Sequence, residues 1–258
     1  MIYPNDIVPV EVQQEIGPPY DWCVLSGYTG SHAYGTYVPP EHEFGTDDVD
    51  IMGVMIPPVE YYLGFRKMDH CLYQKGKWDI LLYEFRHFVS LLLKGNPNVI
   101  GMLWLRPEDY LIRSPAMDEL IANRHLFCGK HVFDSFRGYA SGQLYKMQHA
   151  VREGYMGEKR RKLVERFGYD VKNAAHMIRL LRMGQEFLKT GTLQVYRTDD
   201  AQQLIEIKTG LWPLDRVMDL AHAEFDWLDA AYAASTLPEK PQTAEVEARV
   251  ISILKGRI

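Results

Sequence analysis

The sequence predicts an α+β protein, in which a mixed β-sheet with flanking helices is followed by a mainly α-helical C-terminal region. Short apolar runs separated by Gly and Pro turns fill roughly the first hundred residues, and this pattern is typical of strands. From residue 85 onward apolar side chains recur at helical spacing, which indicates helices. The chain has 258 residues, 47% hydrophobic and 24% charged. Such a composition is that of a globular protein, and the length suits one elaborated domain or two small ones.

The first half is predicted to contain a short helix, two strands and the two arms of a hairpin. In chain order these segments are residues 10–16, 22–29, 49–56, 70–74 and 78–83. Pro57-Pro58 stops the second strand, because proline cannot donate a hydrogen bond to a sheet ladder. Lys75-Gly76-Lys77 forms the hairpin turn, since Gly interrupts two runs rich in aromatic and aliphatic residues.

The second half begins with a helix whose buried face is Phe85, Phe88, Val89, Leu92 and Leu93. Gly95 and Pro97 end this helix. Further helices are predicted over residues 98–105, 115–123, 130–152 and 169–181. Two prolines in residues 106–115 mark a seam. We therefore predict a mixed domain, 1–110, and a helical domain, 111–258, with a site in the cleft between them.

An acidic strand carries the first chemical signal. Side chains alternate faces along a strand, so Asp48 and Asp50 project together while Val49 and Ile51 face a core. Carboxylate oxygens suit Mg²⁺, which in phosphoryl-transfer sites is held by a few carboxylates and by the phosphates of the substrate. The strand therefore predicts a Mg²⁺ site, with Mn²⁺ as the expected substitute, beside a bound nucleoside triphosphate.

A glycine-rich turn before this strand offers a place for the phosphates. Gly30 lets the backbone approach a ligand closely, and backbone amides with the Ser31 hydroxyl can bind phosphate oxygens. The alternative is a Gly-rich hairpin turn followed by a surface acidic strand, because Gly-Ser and Asp-x-Asp are each common. Their order in one chain favours a site.

These residues carry a resemblance to a known family. The matching segments are residues 28–35, 46–54, 94–99, 169–181 and 235–238. The chain resembles the predicted nucleotidyltransferases of the DNA polymerase β-like superfamily, in the branch that includes RNA-repair-associated members. The resemblance implies a polymerase β-like palm over 1–110, transfer of a nucleoside monophosphate from an NTP such as ATP, and metal binding by Asp48 and Asp50. It also implies a third carboxylate on a neighbouring strand.

Asp79 is the best candidate for that third carboxylate. A carboxylate that begins a hydrophobic strand is costly unless it is exposed, paired or metal-bound. The alternative is a solvated residue at the start of the strand. Asp69 and Glu84 are the reserve candidates.

A helix face that carries cationic side chains is the second group of candidate site residues. Lys172, His176 and Arg179 stand at i, i+4 and i+7, so they share one face of a helix. They are predicted to bind the phosphates together with Gly30 and Ser31. The alternative is a solvated edge whose long side chains snorkel from the core.

Two further segments flank the predicted site. Residues 38–45 lengthen the interval between the Gly-Ser turn and the acidic strand, and they could form a flap over the site. Residues 158–162 are the densest basic run, which suits either the phosphates of a polynucleotide acceptor or a solvated helix start. The acceptor stays open among RNA, protein and small molecules.

The composition narrows the class of protein. Three widely spaced cysteines and the lack of a long apolar run predict a protein of a reducing compartment, cytoplasmic and without a membrane partner. A net charge of −5 argues against charge-driven coating of nucleic acid.

The leading hypothesis is a Mg²⁺-dependent nucleotidyltransferase acting on an acceptor hydroxyl and releasing pyrophosphate. The alternatives are a catalytically silent binding module of the same fold, or an enzyme that nucleotidylates proteins or small molecules. The sequence does not define the oligomeric state.

Overall fold

The computed structural model describes residues 7–149 and 158–257. The strands are β1 Cys23–Tyr28, β2 Val49–Met55, β3 His70–Lys75, β4 Trp78–Glu84 and β5 Tyr110–Arg113. The helices of the first half are α1 Val10–Ile16, α2 Pro18–Asp21, α3 Gly30–Ala33, α4 Glu60–Leu63, α5 Phe85–Leu93 and α6 Pro97–Ile100. Those of the second half are α7 Pro115–Ala122, α8 Val132–His149, α9 Glu158–Phe167, α10 Val171–Thr190, α11 Ala201–Lys208, α12 Leu214–Ala234 and α13 Thr243–Lys255. Short 3₁₀ turns cover Gly101–Leu103, Pro107–Asp109 and Arg124–Phe127.

The strands form one mixed sheet in the order β3-β4-β2-β1-β5. β2 and β4 run parallel, and the other neighbouring pairs are antiparallel. The central strand β2 therefore lies between β4 on one side and β1 on the other. This sheet, its flanking helices and the helical second half confirm the predicted α+β fold.

The two faces of the sheet pack against different layers. Ile51 and Ile80 belong to a small apolar cluster that also takes in Val8 and Ile16 beside α1. Met52 belongs to the main hydrophobic core, which continues into the helical half. Because side chains alternate along β2, the carboxylate of Asp50 lies on the same face as Met52 and faces the helical half.

Helix α10 is the centre of the helical half and packs against α8, α11 and α12. Asp170 caps its first turn by accepting a hydrogen bond from the backbone N–H of Asn173 at 3.0 Å. At its end, Gly191 adopts a left-handed conformation with φ of 68°, which glycine tolerates best. The helix thus extends well beyond the predicted residue 181. No helix in the described ranges is long and apolar enough to cross a membrane.

The predicted seam at residues 106–115 contains β5, which pairs with β1. The sheet therefore extends past residue 110, and one hydrophobic core contains side chains from both halves. The division into domains 1–110 and 111–258 stays a prediction. The predicted helix 98–105 is interrupted and forms α6 and a 3₁₀ turn, and residues 150–152 of the predicted helix 130–152 lie outside the described residues.

A buried ion network joins α10, α11 and α12. Arg182 donates to Glu224 at 2.6 Å and to Asp200 at 2.8 Å. Gln185 donates to the second carboxylate oxygen of Glu224 at 2.7 Å, and Arg197 contacts Asp200 at 2.8 Å. Since Glu224 is only 2% exposed, its carboxylate depends on these partners for stabilisation.

Replacement of Glu224 by alanine is expected to lower the free energy of unfolding by about 3–5 kcal/mol, because Arg182 would lose a buried partner. Urea denaturation followed by circular dichroism measures this loss. Glu119→Ala is the matched control, since Glu119 pairs with Arg249 at 2.9 Å near the surface and its loss should cost about 1 kcal/mol or less. Equal losses in the two variants would contradict the assignment of the network as a buried support of α10.

Candidate active site

Two of the predicted carboxylates are direct neighbours in the sheet. Asp50 on β2 and Asp79 on β4 are register partners in the parallel pair, so their backbones lie about 4.8 Å apart and their side chains project from the same face. Asp48 directly precedes β2 and is exposed. All three line one cavity of about 310 Å³, together with the β3–β4 turn.

The reserve carboxylates lie at the other end of the sheet. Glu84 is the register partner of Met55 at the far end of β2, and its carboxylate accepts a hydrogen bond from the His87 N–H at 2.9 Å as the N-cap of α5. The backbone carbonyl of Asp69 accepts a hydrogen bond from the Glu84 N–H at 2.9 Å. Of the three candidates, only Asp79 is brought beside Asp50.

The negative charges of these carboxylates are incompletely compensated. Burial raises the pKa of Asp50, the charges of Asp79 and Asp48 raise it further, and His32 and Lys208 offset part of the increase. One oxygen of Asp79 accepts a hydrogen bond from Gln74 at 2.8 Å. Mutual repulsion of this kind fits a site for a divalent cation.

The donor set fits Mg²⁺ in the way that phosphoryl-transfer sites use it. Within residues 7–149 and 158–257 no three His, Cys, Asp or Glu side chains already converge as ligands of one ion. Mg²⁺ keeps several water ligands and is usually bound through one or two carboxylates plus substrate phosphates. A pair such as Asp50 and Asp79, assisted by Asp48, meets that requirement.

The glycine turn contacts the acidic strand directly. Gly30 has φ of 59°, and a Cβ added there would overlap the carboxylate of Asp50 and lie 2.7 Å from its Cγ. The N–H of Thr29 also donates to the Asp50 carbonyl at 2.9 Å. Glycine is thus required twice at position 30, for its backbone conformation and for the close approach.

A second cavity, of about 220 Å³, opens on the Gly30 side of the carboxylates. It is lined by all five residues predicted to bind phosphate, Gly30, Ser31, Lys172, His176 and Arg179. The other lining residues are Tyr34, Thr36, Ala175, Leu204 and Lys208. The structure therefore brings the turn and the cationic helix face together across one space.

Arg179 lies at the inner wall of this second cavity. It is 8% exposed, and its guanidinium lies 3.5 Å from the centre of the Tyr34 ring and 3.1 Å from Met183 Sδ. Burial lowers its pKa. No carboxylate oxygen in the described part of the chain lies within ion-pair distance of it, so this cation is available to an anionic ligand.

Lys208 is a cavity residue that sequence reasoning missed. Its Nζ donates to the carbonyl of Thr36 at 3.1 Å. Burial lowers its pKa, the charge of Lys172 lowers it further, and Asp50 opposes both effects. Lys208 thus lies between the carboxylates and the cationic helix. Its position at the end of α11, before Gly210, resembled an ordinary helix end, and no local pattern distinguished it.

The inserted segment 38–45 packs against α9. Glu43 forms an ion pair with Arg166, and the ring of Phe44 lies 5.5 Å from that of Phe167. The loop is closed by a hydrogen bond from the Thr46 N–H to the Val38 carbonyl at 3.2 Å. In the basic run, the side chains of residues 158–160 lie outside the described residues.

A solved structure described as a nucleotidyltransferase-like protein from Exiguobacterium sibiricum 255-15 matches 95% of this chain and 77% of its own, at 10% identity and a TM-score of 0.29. This likeness is too low to support an argument. Comparison with curated proteins finds no match. A family model, described as the RNA repair pathway DNA polymerase beta family, matches residues 15–251. That match confirms the resemblance inferred from the sequence, and the chain belongs to the RNA repair pathway DNA polymerase beta family.

Proposed function

We propose that the protein transfers a nucleoside monophosphate from an NTP to an acceptor hydroxyl and releases pyrophosphate, in a Mg²⁺-dependent reaction. Family membership makes it a polymerase β-like nucleotidyltransferase. The observation that carries the finer proposal is the junction at Gly30, where a cationic cavity meets the carboxylates of Asp50 and Asp79. Such a junction suits a triphosphate whose reacting end lies beside the carboxylates.

Each group has a role in this reaction. Bound Mg²⁺, or Mn²⁺ in its place, would activate the acceptor hydroxyl and neutralise the leaving pyrophosphate. Asp48, Asp50 and Asp79 would hold the metal, with Gln74 orienting the carboxylate of Asp79. Gly30 and Ser31 would bind the terminal phosphates through a backbone amide and a hydroxyl. Positioning and electrostatics account for most of the catalysis in such transfers.

The cationic wall matches the charge of a triphosphate. Lys172, Arg179 and Lys208 line the cavity with His176, and among them they can neutralise most of the charge on the phosphates. Lys208 is the cation next to Asp50, so we assign it to the phosphates closest to the reacting centre. Lys172 and Arg179 are assigned to the β- and γ-phosphates.

Lys172→Ala is expected to weaken NTP binding about tenfold, because a hydrogen bond to a charged group contributes roughly 1.5–3 kcal/mol and Lys172 is exposed. Isothermal titration calorimetry with Mg²⁺ and each NTP measures the change. Lys189→Ala is the matched control, since Lys189 is an exposed lysine at the other end of α10. Unchanged affinity in Lys172→Ala would assign this side chain to a solvated helix edge.

An RNA end is the acceptor that we propose first, because the description of the family names an RNA repair pathway. A protein hydroxyl and a small molecule are the other acceptors that the chemistry of the site admits. A cytoplasmic location stays a prediction.

The second candidate is a binding module that retains the fold without turnover. Pyrophosphate release distinguishes it from an enzyme. The full-length protein is incubated with Mg²⁺, each NTP and separate RNA, protein and metabolite pools, and both NTP binding and pyrophosphate are measured. Release with one pool supports the transferase and identifies its acceptor class. Tight NTP binding without release in any pool would favour the binding module.

A further inference from the structure

The two cavities lie on opposite sides of the central strand. β2 carries Asp50 and is flanked by β1, which leads into Gly30, and by β4, which carries Asp79. The cationic cavity opens on the Gly30 side. The other cavity opens on the Asp79 side and is lined by the three carboxylates and by the β3–β4 turn.

The geometry of phosphoryl transfer assigns these two sides to different substrates. The attacking and leaving oxygens lie roughly in line across the α-phosphorus. A bond forms from the acceptor oxygen to the α-phosphorus, and the bond from that phosphorus to the bridging oxygen breaks. The electron pair leaves with the pyrophosphate, and the acceptor proton passes to water. If the pyrophosphate leaves into the cationic cavity, the acceptor must approach from the Asp79 side.

The side chains of the β3–β4 turn indicate the chemistry of the acceptor. Lys77 is exposed, and its amine lies 5.2 Å from the centre of the Trp78 ring. No carboxylate oxygen of the described residues lies within ion-pair distance of Lys77. Lys75, by contrast, is held by Glu15 at 2.8 Å. The backbone carbonyl of Lys77 accepts a hydrogen bond from the Val49 N–H at 2.6 Å, which fixes the turn beside the acidic strand.

We propose that the β3–β4 turn is the acceptor subsite, where Lys77 binds a backbone phosphate near the 3′ end of an RNA strand and so brings the terminal hydroxyl to Asp79. This assignment rests on the proposed nucleotidyl transfer. An acceptor with a phosphate close to its hydroxyl can form an ion pair with the Lys77 amine, whereas a neutral acceptor cannot. The 3′ end of an RNA strand carries its terminal hydroxyl next to the backbone phosphates of its last nucleotides.

The test measures RNA binding without NTP. A single-stranded RNA oligonucleotide with a free 3′ hydroxyl and a 5′ fluorophore is titrated with the full-length protein in Mg²⁺ over a range of salt concentrations. Lys77→Ala should weaken binding about fivefold, as expected for an exposed ionic contact. It should also reduce the slope of log affinity against log salt by about 0.7, the value for one phosphate contact on a single strand.

Two further variants and the nucleotidyl transfer assay, which follows label and pyrophosphate, complete the test. Lys77→Arg keeps the charge and should restore both quantities. Lys255→Ala removes an exposed lysine from the end of α13 and should leave the slope unchanged. Equal affinity and slope in the wild type and Lys77→Ala, or transfer of label to protein with no RNA bound, would overturn the proposal. Lys77-dependent RNA binding by a protein that releases no pyrophosphate would support the RNA contact and reject the transfer reaction, so the two failures are distinguishable.

Discussion

Replacement of Asp50 by asparagine is expected to reduce nucleotidyl transfer by about a thousandfold while raising the thermal stability of the metal-free protein. The loss of activity follows from the position of Asp50 between Asp79 and Gly30. Removal of one charge-stabilising group from a transfer site typically costs about 10²–10³ in kcat. Loss of a carboxylate that we propose to bind the metal beside the phosphates should fall at the upper end of that range.

The gain in stability follows from the raised pKa of Asp50. Burial and the charges of Asp79 and Asp48 raise this pKa above its unfolded value, so the ionised carboxylate destabilises the fold at neutral pH. That destabilisation is fully present above the folded pKa and is relieved as the pH falls through the folded pKa toward the lower unfolded value. The uncharged amide removes it at neutral pH, so the melting temperature without metal should exceed that of the wild type.

Two measurements check the Asp50 prediction: transfer from an α-labelled NTP, and thermal unfolding with and without Mg²⁺. Mg²⁺ should raise the melting temperature of the wild type more than that of Asp50→Asn, since the variant lacks one of the proposed metal ligands. Asp69→Asn is the control, because Asp69 lies at the far end of the sheet and is exposed. Wild-type activity in Asp50→Asn would reject the metal site, and a lower melting temperature would reject the electrostatic explanation.

Gly30→Ala is expected to abolish most transfer activity, by about a hundredfold or more, although it removes no functional group. The added Cβ would overlap the Asp50 carboxylate, so this side chain must move. Small displacements of reacting groups can cost about 10²-fold in rate. The positive φ of 59° adds a further cost of about 1–2 kcal/mol to the stability of the fold.

Gly168→Ala separates these two effects. Gly168 also has a positive φ, of 78°, but a Cβ there meets no heavy atom within 4 Å. Both variants should therefore share the cost of the positive φ, measured by urea denaturation, while only Gly30→Ala loses additional stability from the overlap with Asp50 and loses transfer activity. A Gly30→Ala protein that stays active and is as stable as Gly168→Ala would contradict the close contact between the turn and the acidic strand.

The fold was predictable where local patterns are strong. Alternation identified β2, and two runs rich in aromatic and aliphatic residues on either side of Gly76 identified the β3–β4 hairpin. Helical spacing identified α5 and the start of α10. The short strand β5 was missed because its four residues lie between two prolines, and its pairing with β1 depends on contacts distant in sequence. Helix α10 was predicted too short, because the side chains beyond residue 181 are buried by packing against α8 and α12, which the local sequence does not show.

The candidate site shows the same division between local and distant information. Strand alternation predicted that Asp48 and Asp50 project together, and helical spacing predicted the shared face of Lys172, His176 and Arg179. Neither pattern shows which strand lies beside β2, so Asp79 depended on the family resemblance. Lys208 is far from the other site residues along the chain, and only the packing of α11 against α10 brings it to the cavity.

Nucleotidyl transfer is measured most directly by incubating the full-length protein with Mg²⁺, an α-labelled NTP and an RNA that carries a free 3′ hydroxyl. We expect stoichiometric release of pyrophosphate, and label on the RNA that is sensitive to nuclease and resistant to protease. Chelation of Mg²⁺ should abolish both signals. An NTP that binds in the cationic cavity without transfer of label or release of pyrophosphate would contradict the proposed transfer reaction.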